Sequence, residues 1–233
     1  MNAFIPVTGT RVADQVAGAL RESILRGDYP PGSRLPAERD LASRFDVNRS
    51  SVREAITRLA AWGLVDVRHG GGVTVADFLT ESGLHLLPWL LAPNGTLDPD
   101  LMRDLLTVRV ALLEFTASEA AIHASPDQIA DMRAALAELI AARGADQIQV
   151  ADFTFFETLV VASGNRVLRL MLTAIKAAYT QNRAQFAMLY PDDQMITILH
   201  EATVDAVEHS DPQAAAEAMK VYAQTALVVF END

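Results

Sequence analysis

From residue 83 to residue 230, apolar residues recur at the spacing of an α-helix, and no stretch alternates as a β-strand does. Short breaks such as "APNG", "SPD" and "SGN" separate the helical segments. These segments lie at residues 83–91, 99–124, 126–143, 146–162, 165–190, 193–209 and 212–230. Because short loops join antiparallel neighbours, the pattern predicts an all-α bundle of about seven helices.

The first 76 residues predict a different architecture. Their helices are expected at residues 10–26, 37–45 and 49–62. After these, the Val-rich runs "LVDV" and "VTV" flank the turn "RHGGG", which indicates a small β-hairpin. This order of elements is that of a winged helix-turn-helix. The chain is therefore predicted to be mostly α, with a winged helix-turn-helix domain at residues 1–76, a linker at 77–82 and an all-helical domain at 83–233.

Composition narrows the class of protein. The chain has no cysteine, which excludes disulfides and thiolate metal sites. We see neither a membrane-spanning apolar run nor a secretory signal, and therefore expect a cytoplasmic protein with no membrane partner. The net charge is -11, but residues 1–76 hold ten arginines and only eight acidic residues. The acidity thus belongs to the remainder, and the first part is compatible with nucleic-acid binding.

The predicted third helix presents arginines opposite its apolar face. Arg49 and Arg53 lie near its N-terminus, the part of a recognition helix that meets base edges in the major groove. Arginine can bond guanine bidentately. Asn48 and Ser50 are short polar residues at a helix N-terminus, where a phosphate is also favoured. The residues predicted to contact DNA are Arg39, Asn48, Arg49, Ser50, Arg53, His69 and Gly70.

Each of these residues also has an ordinary structural interpretation. An exposed arginine on a helix is usually only solvated. Ser50 could simply cap the helix, and His69 could be an ordinary exposed residue of a turn. The conjunction of arginines, a capped helix and a glycine-tipped hairpin in one order favours DNA binding. Arg58 lies farther along the helix and is interpreted as a backbone contact or a surface residue.

The stretch "YPPGSRLPAERDLASRFDVNRSSVREAITRLAAWGLVDVRHGGGVTV" resembles the DNA-binding domain of the GntR family of bacterial transcription regulators. The resemblance implies DNA contacts from positions that match Arg39, Asn48, Arg49, Arg53, His69 and Gly70. It also implies a double-stranded operator as partner. We expect a homodimer on a short pseudo-palindromic site, because a two-fold dimer mirrors a two-fold sequence.

The segments "LLTVRVALLEFTASEAA", "ADFTFFETLVVASGN" and "LHEATVDAVEHSDPQAAAEAM" resemble the all-helical effector domain of the FadR subfamily. That domain implies a small-molecule effector. Subfamily members often direct an arginine at the position of Arg109 toward the ligand cavity. The residues predicted to bind the effector are Arg109, Phe156, Tyr179, Phe186, Tyr222 and Phe230.

Many subfamily members hold a divalent metal with an aspartate and three histidines. The matching positions here are Asp152, Phe156, His200 and Tyr222, so two ligands are replaced by aromatic residues. We therefore predict no metal and no cofactor. Asp152 and His200 remain as the candidate ligands, and a buried hydrogen-bonded pair is the alternative for them. The metal-free pattern is similar to that of fatty-acid-responsive members, which implies a fatty acid or acyl-CoA as effector.

Three other readings stay open from the sequence. The rival effector is a small sugar acid or a hydroxy or dicarboxylic acid, bound with a metal. An enzyme built on the bundle is disfavoured, since no nucleophile–base pair or phosphate loop is found. A winged domain that binds a partner protein instead of DNA would lack the steep salt dependence of DNA binding.

Overall fold

The structure is a computed structural model that describes residues 11–68, 71–93, 95–186 and 193–232. The chain divides into two compact units at residue 96. Each unit has a hydrophobic core of its own. The predicted fold class is confirmed, with a winged helix-turn-helix in the first unit and a helical second unit.

Three helices and a hairpin build the winged fold. The elements are α1 (Arg11–Leu25), α2 (Glu38–Phe45), α3 (Arg49–Ala61), β1 (Val65–Arg68) and β2 (Gly72–Val75). Aliphatic side chains of α1 and α3 meet in the core, where Leu20, Ile24 and Leu59 are fully buried. Val12, in the first turn of α1, is exposed.

The two strands are antiparallel and pair Val65 with Val75 and Arg68 with Gly72. The connector before α2 adds to the same hairpin, since Arg34 forms a bridge with Thr74. The predicted wing is therefore present. Its tip residues His69 and Gly70 lie outside the described residues.

The segment after the hairpin packs onto the winged fold. It contains α4 (Phe78–Glu81), a 3-10 turn (Leu84–Leu86) and α5 (Leu87–Leu90). Leu86 is fully buried in the first core, and Phe78 and Trp89 pack against it. The sequence predicts a linker at residues 77–82 and a bundle helix at residues 83–91. In the structure both segments belong to the first unit, which ends at residue 96, because apolar residues of both are packed in its core.

Polar contacts tie this segment to the end of α3. Ser82 Oγ donates to the carbonyl of Gly63 at 3.0 Å, and His85 Nε2 donates to the carbonyl of Trp62 at 3.0 Å. The rings of Trp62 and Trp89 lie 4.9 Å apart, and the Arg21 guanidinium sits 4.5 Å from the Trp89 ring. Carbonyls that a helix end leaves unpaired are satisfied here by side chains of the following segment.

The second unit is helical throughout its described residues. Its helices are α6 (Pro99–His123), α7 (Pro126–Ala141), α8 (Gly144–Ala162), α9 (Arg166–Gln181), α10 (Arg183–Phe186), α11 (Asp193–Glu208) and α12 (Pro212–Asn232). Asp98, Ser125 and Asn165 cap α6, α7 and α9 with their side chains. The segment predicted as one helix over residues 165–190 is interrupted at Asn182, whose side-chain amide donates to the carbonyl of Ala178 at 3.0 Å.

Gly63 provides a test of the contact between α3 and the segment that follows the hairpin. Its φ is +72°, and a Cβ there would approach Ser82 Oγ to 2.4 Å. We expect Gly63→Ala to lower the free energy of unfolding by about 1–3 kcal/mol, measured by urea denaturation. The control is Gly27→Ala, also at positive φ, where a Cβ would meet no described atom within 4 Å. Equal losses in both variants would show that the Ser82 contact adds nothing.

Candidate nucleic-acid interface and interior polar site

Asn48 organises the first turn of α3. Its backbone is extended, with φ -75° and ψ 157°. Its side-chain oxygen accepts from the backbone N–H of Ser51 at 2.8 Å and from the hydroxyl of Ser50 at 2.6 Å. This is N-capping, which favours Asn at that position. The cap occupies the oxygen of Asn48, so its amide nitrogen is the group that it can direct toward DNA.

The three predicted arginines of α2 and α3 have exposed side chains. Arg39 pairs with its neighbour Asp40 at 3.4 Å. Arg53 is 74% exposed and forms two hydrogen bonds with the Glu38 carboxylate, at 2.8 and 3.2 Å. Hydrogen bonding by Arg53 lowers the pKa of Glu38. Exposed cations near a helix N-terminus form a surface suited to phosphates and base edges.

Glu38 is a residue that the sequence reasoning missed. It links α2 to α3 across fifteen positions through its two hydrogen bonds with the Arg53 guanidinium. No local spacing signals such a pair. A contact of Arg53 with DNA, as the sequence predicts, would have to compete with this pair.

Arg58 belongs to the structural part of α3. It donates to Glu54 one turn earlier at 2.8 Å and also contacts Asp14 of α1. Its side chain is only partly exposed. These contacts favour the surface interpretation of Arg58, as a residue that joins two helices.

The interior of the second unit contains a buried polar network. Asp152 and His200 are fully buried, and His200 Nε2 lies 2.9 Å from Asp152 Oδ1. Tyr222 donates its hydroxyl proton to Asp152 Oδ2 at 2.8 Å, and Arg109 Nη2 donates to that hydroxyl at 2.7 Å. Four helices, α6, α8, α11 and α12, each contribute one side chain to this network.

The contact made by the other ring nitrogen of His200, Nδ1, indicates where protons lie in the His200–Asp152 pair. Nδ1 lies 2.7 Å from the carbonyl of Ile196, which can only accept, so Nδ1 carries a proton. A neutral ring with that tautomer turns a lone pair toward Asp152. The close contact therefore requires a further proton, on Nε2 or on the carboxyl group.

Aromatic rings enclose the network. Phe155 and Tyr222 lie 4.3 and 4.7 Å from the His200 ring, and the Arg109 guanidinium lies 5.3 Å from the Phe156 ring. Burial raises the pKa of Tyr222 well above its ordinary value. Tyr222 consequently keeps its proton and remains a donor to Asp152.

These residues do not form the ligand set for a divalent metal that many members of the subfamily contain. The side chains at two of the four matching positions are Phe156 and Tyr222, and Tyr222 bonds one oxygen of Asp152. Within the described ranges, no three His, Cys, Asp or Glu residues lie close enough to hold a metal ion. Zinc sites use at least three protein ligands. The site is built instead as an internally bonded polar network.

The remaining predicted effector residues form a second cluster. Tyr179 stacks on Phe153 with ring centres 4.9 Å apart, and Phe186 lies 5.6 Å from Tyr179. The Tyr179 hydroxyl donates to Gln149 Oε1 at 3.3 Å. Phe230 is half-buried near the end of α12, and in the described part of the chain its ring contacts none of these rings.

The structure thus brings Arg109, Phe156 and Tyr222 together around Asp152, and groups Tyr179 with Phe186. Sequence reasoning missed Gln149, a buried polar residue. The signal for it was weak, since a single glutamine in an amphipathic helix usually faces solvent. Whether any of these residues binds an effector stays a prediction.

The fold and the arginine-bearing surface define a two-domain DNA-binding protein with an all-helical second domain. Family models support this: that of the bacterial regulatory proteins of the gntR family matches residues 12–75, and that of the FCD domain matches residues 104–225. The chain belongs to the GntR family of transcription regulators and carries an FCD domain. The prediction that it is not an enzyme is confirmed by this assignment.

Curated relatives cover most of the chain. An HTH-type transcriptional regulator of Mycobacterium tuberculosis is 36% identical over 222 residues, which is 95% of this chain and 90% of that protein. The regulator Mce2R of the same species is 35% identical, over 93% of this chain and 90% of that protein. The fatty acid metabolism regulator protein of Escherichia fergusonii is 34% identical over 69% of this chain and 66% of its own length.

Solved structures show the same fold. A GntR protein of Streptococcus agalactiae has a TM-score of 0.50 at 26% identity and covers 93% of this chain and 99% of its own. Lar, which controls the expression of the Listeria monocytogenes agr system, has a TM-score of 0.63 at 17% identity and covers 99% of each chain. Among the described helices, none has the length and apolarity needed to cross a membrane.

Arg49 and Arg53 provide a test of the predicted interface. We expect Arg49→Ala and Arg53→Ala each to keep the fold and to weaken binding by about 5- to 150-fold, which corresponds to the roughly 1–3 kcal/mol of a bidentate base contact. The measurement is fluorescence anisotropy with a duplex that the wild-type protein selects from a random library. The control is Arg169→Ala, an exposed arginine of α9. Wild-type affinity in both α3 variants would contradict the prediction.

Tyr222 provides a test of the interior network. Tyr222→Phe removes the hydroxyl between Arg109 and Asp152 and leaves two buried polar groups with one partner fewer. We expect the free energy of unfolding to fall by about 1–3 kcal/mol, measured by chemical denaturation. Tyr179→Phe is the matched control, because its hydroxyl makes only one longer bond to a neutral group. An equal or smaller loss for Tyr222→Phe would argue against a stabilising network.

Proposed function

We propose that this GntR regulator binds a short pseudo-palindromic operator as a homodimer and responds to a fatty acid or its CoA thioester. The observation that carries the effector assignment is the interior around Asp152, where Phe156 and Tyr222 stand at positions that are metal ligands in related regulators. The name of the Escherichia fergusonii relative, a fatty acid metabolism regulator, supports the same class of effector.

The homodimer is supported by a second apolar face of α6. Residues spaced alternately by three and four positions form a stripe on the side of α6 away from its core-facing residues. The apolar members of the stripe are Leu101, Leu105, Val108, Leu112, Phe115 and Ile122, and Glu119 is its one charged position. Phe115 is 48% exposed and Ile122 is 56% exposed. This seven-residue repeat is the one by which two helices pack together.

Helix α9 has a similar outward apolar face. Val167 and Leu170 are largely exposed, although α9 buries other apolar residues against α8. Apolar patches of this kind mark interfaces. A second copy of the chain is the occupant that we propose for them, since a two-fold dimer presents two winged domains to two operator half-sites.

The effector assignment follows from the character of the interior. The rings of Phe155, Phe156 and Tyr222 make the interior of the unit apolar, and Arg109 gives it a positive charge that favours an anionic or strongly polar ligand. A ligand lodged among the helices of this unit would change how they pack. Effector and operator then change each other's affinity by the same factor, with a coupling of about 1–3 kcal/mol.

The dimer can be tested with a charge in the α6 stripe. Phe115→Glu places a carboxylate in the apolar face, and we expect it to convert the dimer to a monomer and to weaken operator binding by at least about tenfold. Light scattering coupled to size exclusion measures the mass. Ile140→Glu, at an exposed apolar position of α7, is the control. A dimeric Phe115→Glu protein would contradict the assignment of this face.

The effector class can be tested by native mass spectrometry of the purified protein with laurate, lauroyl-CoA or gluconate. We expect complexes with laurate or lauroyl-CoA, and a protein mass without bound transition metal. A stoichiometric metal together with bound gluconate would contradict the proposal and support the sugar-acid alternative.

A further inference from the structure

Gln149 is a buried side chain with an unused hydrogen-bond donor. Only 1% of the residue is exposed. Its Oε1 accepts from the Tyr179 hydroxyl, but no hydrogen-bond acceptor among the described residues reaches its Nε2. Buried polar atoms are nearly always paired, so such a donor calls for a partner from outside the chain.

A second unused donor belongs to the same seam between α8 and the end of α9. Arg183 Nη2 donates to the backbone carbonyl of Asp146 at 2.6 Å and pairs with the Asp146 carboxylate at 2.6 Å. Its Nε is buried, and no acceptor is found for it in the part of the chain that the structure describes. Asp146 and Gln149 are one turn apart on α8, and Tyr179 and Arg183 are one turn apart at the α9–α10 junction.

The surroundings of the two donors suit an amphipathic ligand. Tyr179, which bonds Gln149, is stacked on Phe153 and adjoins Phe186, so an apolar wall lies beside the amide. Arg183 also lines an open groove of about 460 Å³ between α7 and α8. The seam therefore combines two N–H donors with aromatic rings, and its Arg183 end borders an open groove.

We propose that Gln149 and Arg183 form the subsite for the polar end of the effector, which rests on the function proposed above. Arg183 Nε and Gln149 Nε2 donate to the oxygens of a carboxylate or to a thioester carbonyl, and the acyl chain lies along Phe153, Tyr179 and Phe186. Ligand binding does not require Asp146 to release Arg183, because Asp146 pairs with Nη2 of Arg183 and leaves its Nε available. Two donors and one positive charge select an acceptor and reject a cationic ligand.

The test measures binding to the full-length protein by isothermal titration calorimetry. The probes are laurate, lauroyl-CoA and dodecanol, which has the same chain length without a carbonyl. We expect Gln149→Leu and Arg183→Gln each to weaken laurate or lauroyl-CoA about tenfold or more, and to change dodecanol binding far less. If the variants weaken the binding of laurate alone, the group bound at the subsite is a free carboxylate. If they weaken the binding of lauroyl-CoA alone, it is the thioester carbonyl.

Controls separate the subsite from the fold and from the proposed effector. Arg169→Gln, an exposed arginine of α9, should bind like wild type. Gln149→Glu is the second variant at this position, for use if Gln149→Leu does not fold. It keeps an acceptor for the Tyr179 hydroxyl and adds a negative charge that repels laurate. If wild type binds an acyl probe and the variants bind it equally well, the subsite is overturned and the effector class stands. If wild type binds neither acyl probe, the proposed effector falls and the subsite falls with it.

Discussion

The second unit depends on accommodating the carboxyl group of Asp152 in its interior, where this residue is fully buried. A buried charge is tolerated only with partners, and here every partner comes from a different helix: His200 from α11, Tyr222 from α12 and, through Tyr222, Arg109 from α6. Replacing a buried polar network by apolar side chains of the same volume is often neutral for stability, whereas removing one partner is costly. The network specifies how four helices align, because a shift of any one of them by a single residue would leave a buried polar group unpaired.

The DNA-binding surface obeys a different constraint. Its arginines are exposed, so water and salt screen them, and their ion pairs contribute little to stability. What fixes them is the backbone: the Asn48 cap holds the first turn of α3, and the apolar residues of α3 fix the rotation of the helix. The surface can therefore be altered with small cost to folding, whereas the interior network cannot.

Local patterns predicted much of this architecture. The helices of both units, the capped start of α3 and the wing followed from apolar spacing and from capping and turn residues. Contacts between distant positions could not be predicted in this way. The Glu38–Arg53 pair, the packing of Trp89 on the winged fold and the burial of the Gln149 amide all depend on which helices become neighbours. Asp152 and His200 were recognised as a possible pair only because related regulators hold a metal there.

The placement of the two tryptophans has a spectroscopic consequence. Trp62 and Trp89 are the only tryptophans of the chain, and both lie in the first unit, with their rings 4.9 Å apart beside Arg21. Tryptophan emission therefore reports on the winged fold alone, whereas far-ultraviolet circular dichroism is dominated by the long helices of the second unit. The two signals, followed in one denaturation series, reveal whether the units unfold together or one after the other.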